Sequence, residues 1–307
     1  MAATEYHEPV LLHEAVRSLV TRGQGIYVDA TLGGGGHAKV ILSALGEQGR
    51  VFGIDHDDQA WQHASGVIGD DPRFTFIRGN FGFMEQLLPL DLHGHIDGIL
   101  LDLGVSSHQI DEPERGFMFR EDAPLDMRMS SLFGTTAHDV VNYYSEQQLK
   151  RIFRDYGEER NSGRIAREIV AQRPLETTGQ LRQIIAGFTP ERYLNKSLAR
   201  IFQALRIEVN RELEMLERFF EYAPNIVSEK GRLVIISYHS LEDRIAKNYI
   251  KAGNAEGRPA KDFYGNTVRP WKPVNKKPVI PDADEISRNP RARSAKMRIA
   301  ERTGVAS

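Results

Sequence analysis

The run Ile26-Tyr27-Val28-Asp29-Ala30-Thr31-Leu32, opening directly into Gly33-Gly34-Gly35-Gly36-His37, constrains this chain more than any other stretch. An apolar, β-favouring segment breaks into four glycines and then into a helix-compatible segment at 38–42. Such a strand–turn–helix brings backbone N–H groups close to a nucleotide-like ligand. Glycine serves there because a side chain would block the approach, or because φ must be positive. Arg50-Val51-Phe52-Gly53-Ile54 reads as a second strand, ending on Asp55. A carboxylate about 20 residues past the glycines, at the carboxyl end of a strand, can accept both hydroxyls of a ribose. A glycine-rich turn with no ligand is the plain alternative, but it gives no reason for Asp55 to follow in register. The unit predicts a cofactor with an unphosphorylated ribose.

The loop is GGGGH rather than G-x-G-x-x-G, and Asp29 stands four residues before its first glycine. A dinucleotide needs a helix N-terminus aimed at a pyrophosphate. S-adenosylmethionine has no phosphate, and its methionine ammonium wants a carboxylate or carbonyls at the loop. An acid at the end of the first strand suits S-adenosylmethionine better than NAD.

Short apolar runs at 26–30, 51–54, 74–77, 96–101 and 233–237 read as strands covered on both faces. The first three follow one another with helix-length connections, as in a doubly wound sheet. About 130 residues then separate the fourth from the fifth, where one crossover helix would do. The expected fold is α/β: a Rossmann-like sheet formed by 1–106 and 210–307, interrupted by a helical module at 107–209. Within the insert, Ser145-Glu146-Gln147-Gln148 and Thr177-Thr178-Gly179-Gln180 are capping boxes opening helices at 149–156 and 181–186. Another helix is expected at 164–172. Apolar residues at Ile201, Leu205, Val209, Leu213, Leu216 and Phe220 predict one long crossover helix over 198–222. The Pro-, Gly- and Lys-rich stretch 252–290 reads as loop, and 296–300 as a final edge strand.

Composition mainly excludes. No apolar run approaches the about 20 residues needed to span a membrane, and MAATEYHEPV lacks a signal-peptide core, so a cytoplasmic location is expected. Zero cysteines remove disulfides, thiolate metal sites and any cysteine nucleophile, and no metal is expected. The net charge of −2 is unevenly spread, with −12 over residues 1–144, +5 over 145–211 and +9 over 244–307. A basic middle and tail beside an acidic front suit a polyanion met from one side, although charge runs are also ordinary solvated faces.

Ligands of an open parallel sheet sit beyond the strands' carboxyl ends. Three loops should converge there: Gly79-Asn80-Phe81, with an aromatic for an adenine ring; Asp102-Leu103-Gly104-Val105-Ser106-Ser107-His108-Gln109; and Ser237-Tyr238-His239-Ser240-Leu241-Glu242-Asp243-Arg244. Together with HEPVLLHEAV, DATLGGGGH, RGFMFREDAPLDMRM, RIFQALRIEVNREL and NPRARSAKMRIAER, they resemble the RsmH (MraW) family nearly end to end. That resemblance implies an S-adenosylmethionine-dependent methyltransferase acting on N4 of a cytidine in 16S rRNA of the small ribosomal subunit. It implies a Rossmann-like domain interrupted by a helical substrate-recognition module, and leaves a homodimer open. It also implies cofactor contacts at Gly35, Gly36, His37, Asp55, Phe81, Asp102 and Gln109. The resemblance carries no motif, and so no residue roles, over 252–285.

The chemistry agrees. Methylation at carbon 5 of a pyrimidine usually needs a cysteine, which this chain lacks, whereas an exocyclic amine needs no covalent help. Its lone pair is delocalised into the ring, so the site must hold its N–H bonds in acceptors and align the nitrogen behind the methyl–sulfur bond. Asp102 is the first candidate to orient that amine or the cofactor's amino group. Other amino-methyltransferases carry Asp/Asn-Pro-Pro-aromatic at this strand end. Asp102-Leu103-Gly104-Val105 lacks the prolines and the aromatic, leaving Tyr238, Phe117 or Phe119 as substitutes. Ser237, His239 and Ser240 can bind the base or a phosphate, or simply cap the strand end. Asp126 and Arg128 can be functional or a structural ion pair. Arg151, Arg154, Arg160, Arg164 and Arg167 on the insert, and Arg288, Arg291, Arg293, Lys296 and Arg298 in the tail, are candidates to position RNA through phosphate. A nicotinamide oxidoreductase and a non-catalytic ribosome-assembly factor are the rival readings.

Overall fold

The computed structural model describes residues 9–130, 134–261, 264–265 and 267–304; His7 and Glu8 of the first motif lie outside them. The chain divides into two compact units: Met1–Gly104 with Leu213–Ser307, and Val105–Glu212. The division falls two residues before the expected start of the insert and three after its expected end.

The first unit runs α1 (Leu12–Leu19), β1 (Ile26–Asp29), α2 (Gly36–Ala44), β2 (Arg50–Asp55), α3 (Asp58–Ile68), β3 (Phe74–Arg78), α4 (Met84–Leu87) and β4 (Ile96–Asp102). The second holds α5 (Ser107–Asp111), α6 (Ala137–Tyr143), α7 (Glu146–Asp155), α8 (Ser162–Ala171), α9 (Thr178–Ala186) and α10 (Glu191–Asn210). The chain returns through α11 (Glu212–Ile226), β5 (Val227–Ser237), α12 (Ser240–Ala252), β6 (Ala260–Lys261), β7 (Thr267–Val268), β8 (Trp271–Pro273), α13 (Ala283–Arg288) and β9 (Lys296–Arg302).

The sheet has the order β3-β2-β1-β4-β5-β9-β8. β1 to β5 pair in parallel, whereas β9 runs antiparallel to β5 and to β8. Apolar strands are wanted because both faces are covered. Val28, Ile54, Leu101 and Leu233 pack with α11 and α12 residues such as Phe219 and Ile245, while Tyr27, Val51, Leu100 and Val234 pack with Leu19, Ile41 and Leu42 of α1 and α2.

Four expectations need correction. The long helix over 198–222 is two helices, broken at Arg211 with φ 51°. Continuous apolar spacing hid the break, which polar groups hold. Asn210 takes the Met129 amide at 2.7 Å and donates to the Met127 carbonyl at 2.8 Å, while Arg206 forks onto Glu212 at 2.7 and 2.9 Å. The final strand is not an edge: β8 covers β9, with Trp271 fully buried and Pro273 at the edge, where a missing N–H is tolerated. The stretch 252–290 is therefore not all loop, and it also contains α13, capped by Asp282. Residues 240–244 are the first turn of α12 rather than loop, because His239 and Glu242 form a capping box that spacing rules built on Ser and Thr do not flag.

The second unit surrounds its own core, which includes Leu149, Phe153, Ile165, Leu181, Ile201 and Leu205. Both boxes read in the sequence form there, at Ser145/Gln148 and Thr177/Gln180, and a third caps α6 at Thr136/Asp139.

Candidate active site

The carboxyl ends of β1, β2, β4 and β5 bring Asp29, Asp55, Asp102 and Tyr238 to one rim of the sheet. Ladder bonds continue past the strands: Leu32 N–H donates to the Ile54 carbonyl at 2.9 Å, and Leu103 N–H to the Ile236 carbonyl at 2.9 Å. Thr31 adds a tie, its hydroxyl accepting the Asp102 amide at 2.7 Å.

The glycine loop turns with Gly35 in the left-handed region, φ 80°, as the N-cap of α2. A Cβ at Gly35 would stand 3.0 Å from Ala64 Cβ of α3, and one at Gly36 would stand 2.4 Å from Pro9 Cγ. These glycines let α3 and the first motif's proline close on the loop, and α2 begins with no side-chain cap over its N-terminal amides. Asp55 secures the same loop from β2: one carboxylate oxygen accepts from Gly33 N–H at 2.8 Å, the other from Asp57 N–H at 2.9 Å.

Asp29 is fully buried. One oxygen takes a long bond from Thr31 N–H at 3.4 Å, while Oδ2 has no partner. Burial, followed by the charge of Asp55, pushes its pKa up to about 7 against the pull of the Thr31 and Ala38 amides. Burial likewise raises Asp55, with His56 pulling it back. Asp102, one-fifth exposed, is pushed up to about 7 by desolvation; the Tyr238 hydroxyl pulls it down, and Asp29 and Glu242 push it up. Crowded carboxylates, one with an empty buried lone pair, make this rim receptive to a cationic group.

His37, buried in the first turn of α2, lies with Nδ1 3.8 Å from Asp102 Oδ2, and its Nε2 has no partner. Burial drives its pKa down to about 4, so the ring is neutral at pH 7. Tyr238 donates its hydroxyl to Asp102 Oδ1 at 2.8 Å, and Gly104 (φ 99°) lies against the ring, where a Cβ would meet Cδ2 at 3.5 Å. The buried Glu242 accepts the amides of Tyr238 and His239 at 2.9 and 3.3 Å. Neither the Tyr238–Asp102 bond nor the Glu242 anchor was legible beforehand, although the polar run S-Y-H-S-L-E-D marked the segment.

The other candidates have their own partners. Ser237 is buried, and its hydroxyl donates to the Lys296 carbonyl at 3.3 Å. His239 is the N-cap of α12, its Nδ1 taking the Glu242 amide at 3.5 Å. Phe81 follows β3 and packs edge-on against Phe219, with ring centroids 6.3 Å apart. Gln109 belongs to the helical unit; its side chain accepts from Ser106 N–H at 3.0 Å and donates to the Met129 carbonyl at 3.3 Å. Phe119 in that unit meets Phe202 edge-on at 5.5 Å, and Arg115 lies 6.0 Å from the Phe117 ring. Asp126 and Arg128 form a two-pronged ion pair at 2.7 and 2.8 Å.

Residues 4–303 match the MraW methylase family. The chain belongs to that family. A ribosomal RNA small subunit methyltransferase H from Flavobacterium johnsoniae is 50% identical over 301 residues, covering 97% of this chain and 98% of its own. The protein of the same name from Bacteroides fragilis is 50% identical over 302 residues, with the same two coverages. That from Amoebophilus asiaticus is 47% identical over 306 residues, 99% of this chain and 98% of its own. Among solved structures, an rRNA methylase from Streptococcus thermophilus aligns over 94% of this chain and 92% of that chain, at 12% identity and a TM-score of 0.37, too distant to inform function. Membership in a methylase family favours neither the oxidoreductase nor the non-catalytic reading. Among the described residues, no helix is long and apolar enough to cross a membrane.

Proposed function

We propose that this chain transfers a methyl group from S-adenosylmethionine to the exocyclic N4 of a cytidine in 16S rRNA of the small ribosomal subunit. The observation that carries the reading is the unpartnered Oδ2 of the fully buried Asp29, beside Asp55 and Asp102, at the mouth of the glycine loop. A donor with an ammonium, a sulfonium and a free ribose suits those acids; a pyrophosphate does not. In this reading Asp29 faces the methionine ammonium, Asp55 the ribose, and Gly35, Gly36 and His37 present backbone, with Phe81 beside the adenine. Gln109 rests on its match to the family motif alone.

S-adenosylmethionine supplies an electrophilic methyl on sulfonium sulfur. The chain's own task is to present the amine. Asp102 accepts an N–H of the cytosine amino group, which favours a pyramidal nitrogen and directs its lone pair. A base is not needed before transfer, since the methylated amine is strongly acidic and loses its proton afterwards. An ionised carboxylate accepts more strongly than a neutral carboxyl, so turnover rises with pH through the Asp102 value of about 7. The cytosine must leave its stack to reach the rim. Arginines of the insert and tail, Arg164 and Arg293 among them, hold phosphate without reading sequence.

The test is transfer of a radiolabelled methyl group to small subunits from a strain lacking the modification. Label in N4-methylated cytidine after digestion supports the reading. Binding of the donor and of subunits with no label would make the chain an assembly factor.

A further inference from the structure

The DLGV turn after β4 carries no aromatic of its own, yet an aromatic from a different strand end reaches its acid. Tyr238, between β5 and α12, donates to Asp102 Oδ1 at 2.8 Å, and its ring lies against the glycine of that turn. Its backbone is held in turn: the buried Glu242 carboxylate accepts the Tyr238 and His239 amides at 2.9 and 3.3 Å. We propose that Tyr238 is the positioning residue for Asp102, with its phenol occupying Oδ1 so that Oδ2 is the edge offered to the target amine, and that Glu242 holds Tyr238 there. This rests on the reading of Asp102 as the amine's acceptor.

The geometry has a directional consequence. A phenol can only donate to a carboxylate here, since burial and the adjacent Asp102 charge hold the Tyr238 hydroxyl well above its usual ionisation range. Donation stabilises the ionised carboxylate. The groups facing Asp102 are Asp29 from β1, His37 from α2, and Tyr238 and Glu242 from the β5–α12 corner. Of these, Tyr238 lowers the Asp102 pKa, whereas Asp29 and Glu242 raise it. Removing Tyr238's hydroxyl and removing Glu242's charge should therefore move the same titration in opposite directions.

The experiment is single-turnover methyl transfer to unmodified small subunits across pH 5.5–9, with S-adenosylmethionine and subunits saturating. The wild-type rate should rise with a midpoint near 7. Tyr238→Phe should raise that midpoint by about one unit, the worth of one hydrogen bond to a charged group, and leave KM for both substrates within about twofold. The rate then falls by about fivefold at pH 7 and largely returns at pH 9. Glu242→Gln should move the midpoint toward acid. A merely structural role would lower the rate at every pH alike, so a Tyr238→Phe profile that superimposes on the wild type after scaling overturns the proposal. Should Tyr238→Phe not purify folded, Tyr238→Leu takes its place: an alkaline shift of the midpoint supports the proposal, and an unmoved midpoint overturns it. Asp102→Ala, which leaves no acceptor, separates the two layers. Wild-type turnover in that variant removes both the acceptor reading and this one. An inactive Asp102→Ala beside an unmoved Tyr238→Phe profile removes only the positioning role.

Discussion

Asp29 and Glu159 are both carboxylates sealed from solvent, at 0% and 5% exposure, one at a strand end of the sheet unit and the other between helices of the insert. Glu159 is fully engaged: Asn161 N–H donates at 2.9 Å, Ser197 Oγ at 2.9 Å, and Arg200 stands 3.8 Å away. Asp29 has one long bond from Thr31 and the pull of the Ala38 amide, and its Oδ2 has no hydrogen-bond partner. Burying a carboxylate is costly unless its lone pairs are met. Where they are met from within, the residue is architecture; where they are not, a ligand's cation is one way to meet them. The helical unit uses its buried acid to join α8 to α10, and the sheet unit leaves one oxygen of its acid without a hydrogen-bond partner.

Substitutions can break that contrast. The largest effect is expected from Glu159→Ala, which strands the Ser197 hydroxyl and the Asn161 amide. Unfolding in urea should show a loss of about 2–3 kcal/mol, with S-adenosylhomocysteine affinity unchanged. Asp29→Asn should do the reverse: donor affinity falls about 10–100-fold by calorimetry, while the ligand-free protein is no less stable. Equal destabilisation by both would erase the distinction.

A pH series sharpens it. Asp29 and Asp102 each titrate near 7 when folded, against 3.8 ordinarily. Between about pH 4 and 7 the folded chain thus keeps protons that the unfolded chain has released, so these groups cost stability increasingly as pH rises through that window. Ligand-free protein should melt at least about 2 °C higher at pH 5.5 than at pH 8, and Asp29→Asn should shrink the difference. A higher melting temperature at pH 8 would contradict the assigned shifts. The smallest effect is Ser145→Ala, which removes an exposed capping box for about 0.5–1 kcal/mol and leaves turnover alone.

Much of this was legible beforehand where local chemistry and tertiary demand agree. The strand cores, the GGGGH turn, the Ser145 and Thr177 boxes and the carboxylates at strand ends follow from spacing alone. What was hidden depends on distant partners. Arg211 breaks a helix because Asn210 is claimed by the 127–129 turn, over 80 residues back. Trp271–Pro273 pairs only because β9 presents an open edge. Gly36 is required by Pro9 packing on it, which no glycine pattern states. Tyr238 reaches Asp102 across 136 residues, and only the fold makes them neighbours.

Calorimetric titration of S-adenosylhomocysteine into the wild type and into Asp55→Ala, with NADH as control, reads the cofactor site itself. One saturable site per chain is expected, with no NADH binding and at least tenfold weaker affinity in Asp55→Ala, its circular dichroism unchanged. NADH binding in place of S-adenosylhomocysteine, or an Asp55→Ala variant that binds as tightly as the wild type, would contradict it.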